Sequence, residues 1–467
     1  MKKSQRHNSA KRDNSTVTRS QDRTDSSSRQ VSRLYDCPTN NKLTTDQQKA
    51  LSKLKLFVRG SDSFFRLSGY AGTGKSYTIC HFMGWLVSSD VKFVAAAPTN
   101  KAAKNLKQIA VSIGIAVDVL TVAQLLGQQP EIDEETGLEE FVGSGEAKFD
   151  KYDLVIIDEF SMINRANFEE IVEAVALTID TKVVFVGDAA QLPPVKETES
   201  IVAISDYIKL QASLTEIVRH DGEIATVAEK IRNNNQYNST LYPFKSSEDE
   251  TIVCLPRVQW LETVTTYFES DNYKANPDYV RLLVWKNKTA LSANKFVRSR
   301  LWGKDAPLYL LGDRLIAKKP LFRPRPGKKG KNKWGVLINN SEECSVMGTG
   351  IIEELVFDHE VYQYWLVPVE TDSGLDVPLS ILSVEGQQLQ SERLKYYAEK
   401  KQWNRYYDLS RMFDDVTYAY GLTVHKAQGS SIDYVFLDTE DMRYCPDLQK
   451  MLYTALTRAK VKAFIPL

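Results

Sequence analysis

The stretch Phe64 to Thr78, FFRLSGYAGTGKSYT, constrains the fold of this chain more than any other. Phe64, Phe65 and Leu67 form an apolar run bounded by Ser68 and Gly69, as in a buried strand, and Ser76 onward reads as the start of a helix. Between them stands Gly69-x4-Gly74-Lys75-Ser76. Gly69, Gly72, Thr73 and Gly74 let successive backbone N–H groups turn toward one point. The helix start adds its positive dipole end, Lys75 a mobile charge, and Ser76 a hydroxyl for a metal. Such a nest suits the phosphates of a nucleoside triphosphate such as ATP with Mg2+; the bland alternative is a glycine-rich turn without a ligand. The motif names a fuel and leaves the work open.

With 467 residues, 42% hydrophobic and 26% charged, the chain can bury several cores and should hold more than one domain. No run approaches the ~18 apolar residues of a membrane span, and nothing near Met1 reads as a signal peptide, so the expectation is a cytoplasmic protein without a membrane partner. The five cysteines, Cys37, Cys80, Cys254, Cys344 and Cys445, are odd in number and far apart, which suits reduced thiols better than a disulfide framework or a zinc site. Lys plus Arg equals Asp plus Glu at 60 each, so only the distribution of charge speaks for or against a nucleic acid. Residues 1 to 36 carry nine Lys or Arg against four Asp and almost no large apolar residue. That is a disordered basic tail, open to readings as a backbone-holding arm, a solvated extension or a transit peptide.

Three further apolar strands end in polar clusters. Lys92 to Ala97 runs into Pro98-Thr99-Asn100-Lys101, Leu154 to Ile157 into Asp158-Glu159, and Val183 to Val186 into GDAAQLPP, Gly187 to Pro194. In a parallel sheet, ligands bind outside the carboxyl ends of the strands, so all four clusters should meet in one crevice. Phosphoryl transfer needs a metal, an oriented water and positive charge at the departing phosphates. Asp158 is expected to hold magnesium with Ser76, Glu159 to orient or deprotonate the water, and Gln191 to sense the terminal phosphate. Ahead of the strand, Thr44 or Thr45 caps a helix with Gln47 or Gln48 available for a capping box.

With LTTDQ at Leu43 to Gln47, GYAGTGKS at Gly69 to Ser76, APTNKAA at Ala97 to Ala103, VIIDEFSM at Val155 to Met162 and GDAAQLPPV at Gly187 to Val195, the chain resembles superfamily-one helicases of the 5′-to-3′ branch, the Dda and RecD type. The resemblance covers everything after the tail. It implies that Gln47 contacts adenine, that Thr99 and Lys101 lie on the single strand's backbone, and that Arg219 reaches the ATP phosphates from a second domain. It also implies that the strand-end Asn287 and the loop residues Thr423, His425 and Lys426 meet DNA, that Gln428 and Gly429 couple this contact to the nucleotide, and that Arg458 is an arginine finger. Ala123 departs from the family, which often has His there.

The expected fold is α/β, two RecA-like P-loop domains with parallel sheets: 41–200, with a hairpin insertion at about 127–150, and 201–310 with 414–467. An SH3-like β insertion with a helical segment is expected at 311–413, where short strands include an alternation of Tyr362, Tyr364 and Leu366. The hairpin turns at Thr136-Gly137 and carries six acidic residues from Glu131 to Glu140, so it reads either as the family's duplex-splitting pin or as a solvated hairpin. Lys318 to Lys333 holds eight Lys or Arg and no acid, a phosphate-neutralising loop or a solvated one. Trp285 reads equally as a base-stacking or a core residue. The resemblance implies an ATP-dependent DNA helicase acting on single strands and duplex junctions in replication, recombination or repair, with replication or repair proteins as possible partners. An RNA helicase, a non-unwinding translocase and a protein-remodelling ATPase remain alternatives.

Overall fold

In this computed structural model the described residues are 43–132, 139–143, 147–218, 223–233, 244–325 and 333–467. The basic tail, the turn at Thr136-Gly137, Arg219 and the middle of the basic loop fall outside them.

The first sheet is built from β1 (Phe64–Gly69), β2 (Phe93–Ala97) and β3 (Val119–Thr121). After a separate antiparallel hairpin, β4 (Gln128–Ile132) and β5 (Glu139–Gly143), come β6 (Leu154–Ile157), β7 (Lys182–Gly187) and β8 (Leu210–Leu214). The six strands lie in the order β3-β2-β6-β7-β1-β8, all parallel. Their apolar runs are continuous because both faces are covered. Leu154, Ile156, Val184 and Val186 point to a core shared with helices Thr45–Arg59, Lys75–Ser88 and Asn100–Ser112, while Val155, Ile157, Val183 and Phe185 point to one shared with helix Arg165–Ala176.

The chain then lays down β9 (Ile252–Leu255) and β10 (Val280–Val284) and leaves for an antiparallel region. That region contains β11 (Arg314–Ala317), the ribbon β12 (Leu321–Arg325) and β13 (Lys333–Ile338), then β14 (Glu343–Val346), β15 (Ile351–Phe357), β16 (Glu360–Thr371) and β17 (Asp376–Leu382). Helices Val384–Glu399 and Trp403–Met412 follow, and β18 (Val416–Tyr418) pairs back onto β11. Strands β19 (Gly421–Thr423), β20 (Ile432–Leu437) and β21 (Ala459–Pro466) complete a second parallel sheet in the order β19-β10-β20-β21-β9. Both parallel sheets are of the expected RecA-like α/β kind.

Two boundaries differ from expectation. Strand β8 pairs with β1 from Phe65↔Leu210 to Gly69↔Leu214, so the first sheet extends beyond residue 200. Strand β18 lies in the antiparallel sheet although it stands past 413, and only at Gly421 does the chain re-enter the second parallel sheet. In β16 both faces are used: Tyr362 and Tyr364 meet the two following helices, and Trp365, Val367 and Val369 meet the antiparallel core. The helical segment is broken at Lys401, whose φ of 52° ends the first helix. Trp285 packs partly buried against the second sheet's core, with the Lys286 ammonium 4.6 Å from its ring centre. Cys254, Cys344 and Cys445 are free thiols, and Cys80 is buried. No helix among the described residues is long and apolar enough to cross a membrane.

Candidate nucleotide and nucleic-acid site

The loop after β1 turns through Gly74, whose φ of 76° is in the left-handed region, and a Cβ there would run into the Gln47 amide. Helix Lys75–Ser88 starts directly behind it. The loop is tightened by Thr73, whose hydroxyl donates to the Tyr70 carbonyl at 2.9 Å, and by the Lys75 ammonium, which donates to the carbonyls of Gly69 and Tyr70 at 2.9 and 3.0 Å. Buried Gln47 fastens the preceding helix to this loop. Its Oε1 accepts from the Thr44 N–H as half of a capping box, and its Nε2 donates to the Thr73 carbonyl, both at 3.0 Å. The expected capping pair is therefore Thr44 with Gln47, and both ends of that amide are engaged within the protein.

β6 and β7 deliver their clusters to the same carboxyl edge as β1. Asp158 accepts from the Glu159 N–H at 2.9 Å. Loss of solvent, and then the Glu159 carboxylate beside it, push the Asp158 carboxyl up to about 7, with Lys75 opposing. Glu159 adopts φ 53°, uncommon for a residue with a side chain. Its Oε2 is buried without a hydrogen-bond partner, and so is Gln191 Oε1. Two crowded carboxylates beside Lys75, one with an orphaned oxygen, are donors of the hard-oxygen type that magnesium takes.

The second parallel sheet reaches into this edge. From helix Leu448–Leu456, the Tyr453 hydroxyl accepts from the Ala71 N–H at 3.1 Å and donates to Asp188 at 2.5 Å. The neighbouring Thr454 hydroxyl accepts from the Leu192 N–H at 3.0 Å. Gln428 Nε2 donates to the Leu192 carbonyl at 2.9 Å, and Asn105 Nδ2 to the Gly429 carbonyl at 2.6 Å. Gly429, at φ +74°, lies so close to helix Asn100–Ser112 that an added Cβ would stand 3.1 Å from Ala102 Cβ. Sequence reading missed Tyr453, Thr454, Asp188 and Asn105. Asp188 sat inside GDAAQLPP, but nothing local said that Tyr453 faces it.

The structure thus fastens Gln47 to the loop of Lys75 and sets Asp158 and Glu159 beside Lys75, with Gln191 following the adjacent strand β7. The expected nucleic-acid residues are spread more widely. Thr99 caps its helix, accepting from the Ala102 N–H at 3.2 Å. Lys101 is 3.0 Å from Glu343 and 3.1 Å from Asp278, so its ammonium already has two carboxylate partners. Asn287 is the exposed first residue of the helix after β10. Thr423 caps the short turn Val424–Ala427, accepting from the Lys426 N–H at 3.4 Å. Burial lowers the pKa of both His425 and Lys426, and Lys318 adds to the shift of Lys426. Arg458 is buried, donating to the carbonyls of Thr454 and Ser430 at 3.1 and 3.3 Å and to the Thr457 hydroxyl at 3.3 Å. In this arrangement its guanidinium braces its own helix end.

A phosphate nest, a carboxylate pair and a glutamine at the carboxyl edge of one parallel sheet, touched by a helix packed on another, define a two-sheet ATPase of the P-loop class. Residues 42–246 match the family described as AAA domain, and residues 418–465 match the UvrD-like helicase C-terminal domain. The chain is 24% identical over 454 residues to the ATP-dependent DNA helicase dda of Enterobacteria phage T4, covering 91% of this chain and 99% of that one. It is 26% identical over 491 residues to the uncharacterized protein R530 of Acanthamoeba polyphaga mimivirus, covering 89% and 98%. A Bacteroides Pif1 helicase structure in complex with ADP-AlF3 and ssDNA is 17% identical, covers 92% of this chain and 93% of its own, and superimposes with a TM-score of 0.48. Its homologues include the Dda, RecD and Pif1 helicases.

Proposed function

We propose that this protein is an ATP-dependent DNA helicase that moves along single-stranded DNA from 5′ to 3′ and opens duplex junctions. The observation that carries the reading is the contact of helix Leu448–Leu456 with the Ala71 N–H and Asp188 across the cleft, since a motor needs its nucleotide loop coupled to a second moving part. The near full-length likeness to Dda supplies the substrate class. In this reading 43–214 forms the first motor domain, and 223–310 with 421–467 the second. The antiparallel region between them is an SH3-like insertion. The basic tail and the residues around Asn287, Thr423, His425 and Lys426 carry DNA, and the acidic hairpin stands at the junction. The setting is DNA replication, recombination or repair in a nucleoid-like compartment, with proteins of those processes as partners.

Lys75 leaves the carbonyls it holds and meets the triphosphate. Gln47 positions the base side of the loop, and Ser76 and Asp158 hold magnesium, which supplies charge neutralisation at the phosphates. Glu159 orients the attacking water and takes its proton, and Gln191 meets the terminal phosphate. Arg219 and Arg458 bring positive charge from the second domain as the cleft closes. Separation of a base-pair step costs about 1.4 kcal/mol, a small load for such a motor.

The test is ATP-dependent unwinding of two otherwise identical duplexes, one with a 5′ and one with a 3′ single-stranded tail. Opening of the 5′-tailed duplex alone is expected. Opening of the 3′-tailed duplex alone keeps the motor and reverses its direction, whereas opening of neither overturns the helicase.

A further inference from the structure

Arg232 lies in the last turn of helix Glu223–Asn233, where a cation ordinarily serves only the helix dipole. Its surroundings are not those of a surface residue. The helix is tied to Leu448–Leu456 by Gln449, whose Nε2 donates to the carbonyls of Ile231 and Arg232, both at 2.8 Å. The two helices also share a core through Val227, Ile231 and Leu452. This pair of helices presents two side chains to two consecutive residues of the phosphate loop. Tyr453 meets the Ala71 N–H, and the Arg232 guanidinium carbon lies 3.3 Å from the centre of the Tyr70 ring.

A guanidinium on an aromatic face is held in place while its N–H edges stay free to bond. Arg232 Nη1 is buried and has no hydrogen-bond partner, and Arg232 makes no ion pair among the described residues. A cationic donor left in this condition is costly, and an anion brought to it recovers that cost. Asp188, an acid of the cleft, is already engaged, accepting from Tyr453. Burial and Asp188 hold the Tyr453 proton firmly, and the positive charge of Arg232 acts in the opposite direction on the same hydroxyl, so that charge stands at the loop. Of the two arginines expected to cross the cleft, Arg458 is tied to its own helix end and Arg219 lies outside the described residues.

We infer that Arg232 is a nucleotide-contacting residue delivered across the cleft, a guanidinium poised on Tyr70 to take the polyphosphate of the bound nucleoside triphosphate as its partner. The inference rests on the reading of the Gly69–Ser76 loop as the ATP site and adds to it the residue by which the second sheet feels the phosphates.

The test is equilibrium binding of a fluorescent ATP analogue to the full chain, with adenosine as a competitor that lacks phosphate. Arg232→Gln is expected to weaken triphosphate binding about tenfold or more, the value of a charge-assisted bond, with adenosine competition unchanged. Arg232→Lys should recover only part, since an ammonium lacks the planar fork. Equal losses for ATP and adenosine would make Arg232 a structural brace and overturn the inference, as would wild-type triphosphate affinity in Arg232→Gln. Should that variant fail to fold, Tyr70→Leu keeps the arginine and removes its platform. It is expected to weaken triphosphate binding in the same direction, and unchanged affinity there overturns the inference equally. A wild-type chain that binds no triphosphate would instead bring down the loop assignment itself.

Discussion

The Lys75 ammonium is held by two neutral carbonyls, those of Gly69 and Tyr70, which bring no negative charge to meet its own as a phosphate does. The side chain is therefore stored beside the place where it is needed, and its removal should cost function far more than stability. Lys75→Ala is expected to abolish ATP hydrolysis with little change in the unfolding midpoint; phosphate release measured beside a thermal melt checks both, and normal turnover removes the loop assignment. Lys75, Ser76, Asp158, Glu159 and Gln191 were legible in the sequence because each follows an apolar strand, and parallel strands deliver their ends to one edge. Lys101 and Arg458 were legible only as motif members. Their present partners are set by packing: Glu343 stands 242 residues from Lys101, and no local pattern encodes that meeting.

At the scale of elements, that meeting is a junction. Glu343 on β14 lies 3.0 Å from Lys101 of the first sheet's helix, 2.7 Å from Arg281 of β10 and 3.1 Å from Arg314 of β11, and Arg314 also pairs with Asp372. One buried carboxylate thus fastens a helix, a parallel strand and the antiparallel sheet. Burial by itself would raise the Glu343 carboxyl, but Lys101, Arg281 and Arg314 outweigh it and hold the group well below the usual carboxylate range. Glu343→Gln takes the shared carboxylate from three buried cations, leaving Lys101 only Asp278 and Arg314 only Asp372, and is expected to cost about 3–5 kcal/mol of stability at neutral pH. Because the folded value is depressed, the unfolded chain binds the proton more tightly. The contribution is complete above the unfolded value of about 4.3 and is lost as pH falls below it. Urea unfolding of the two chains should therefore show a gap that is constant near neutrality and narrows in acid; a gap that widens in acid would refute the assignment. The elements themselves were largely legible, since β1, β2, β6 and β7 are apolar runs ended by turn residues. The sheet membership of β8 and β18 was not, because neither is a continuous buried apolar run and its partner, β1 or β11, is distant in sequence. Period-two patterning tells which face of a strand is buried and is silent on which sheet receives it.

Across the whole molecule, the ends of β7 and β19 are joined by a short chain of bonds. β19 ends at Thr423, and its turn leads to Gln428, whose amide holds the carbonyl of Leu192 immediately after Gln191. The next residue, Gly429, is held by Asn105 of the helix that carries Thr99 and Lys101. On the proposed function, a strand gripped at Thr423 to Lys426 would therefore pull on Gln191 and on the helix of Lys101 within a few residues. Two arrangements of this link, taken up with and without nucleotide, are what a stepping motor requires. Gln428→Ala removes one buried hydrogen bond, worth about 1 kcal/mol, and so should lower the ratio of single-strand-stimulated to unstimulated ATP turnover about fivefold. Affinity for the strand measured without nucleotide should change much less, because Gln428 meets Leu192 rather than the strand-facing loop. Turnover with and without oligonucleotide, beside anisotropy binding, separates these quantities. Full stimulation in the variant would mean that the two halves communicate by another of their links, such as Tyr453 on the Ala71 N–H and Thr454 on the Leu192 N–H, with strand binding reaching the nucleotide through helix Leu448–Leu456 rather than through Gln428.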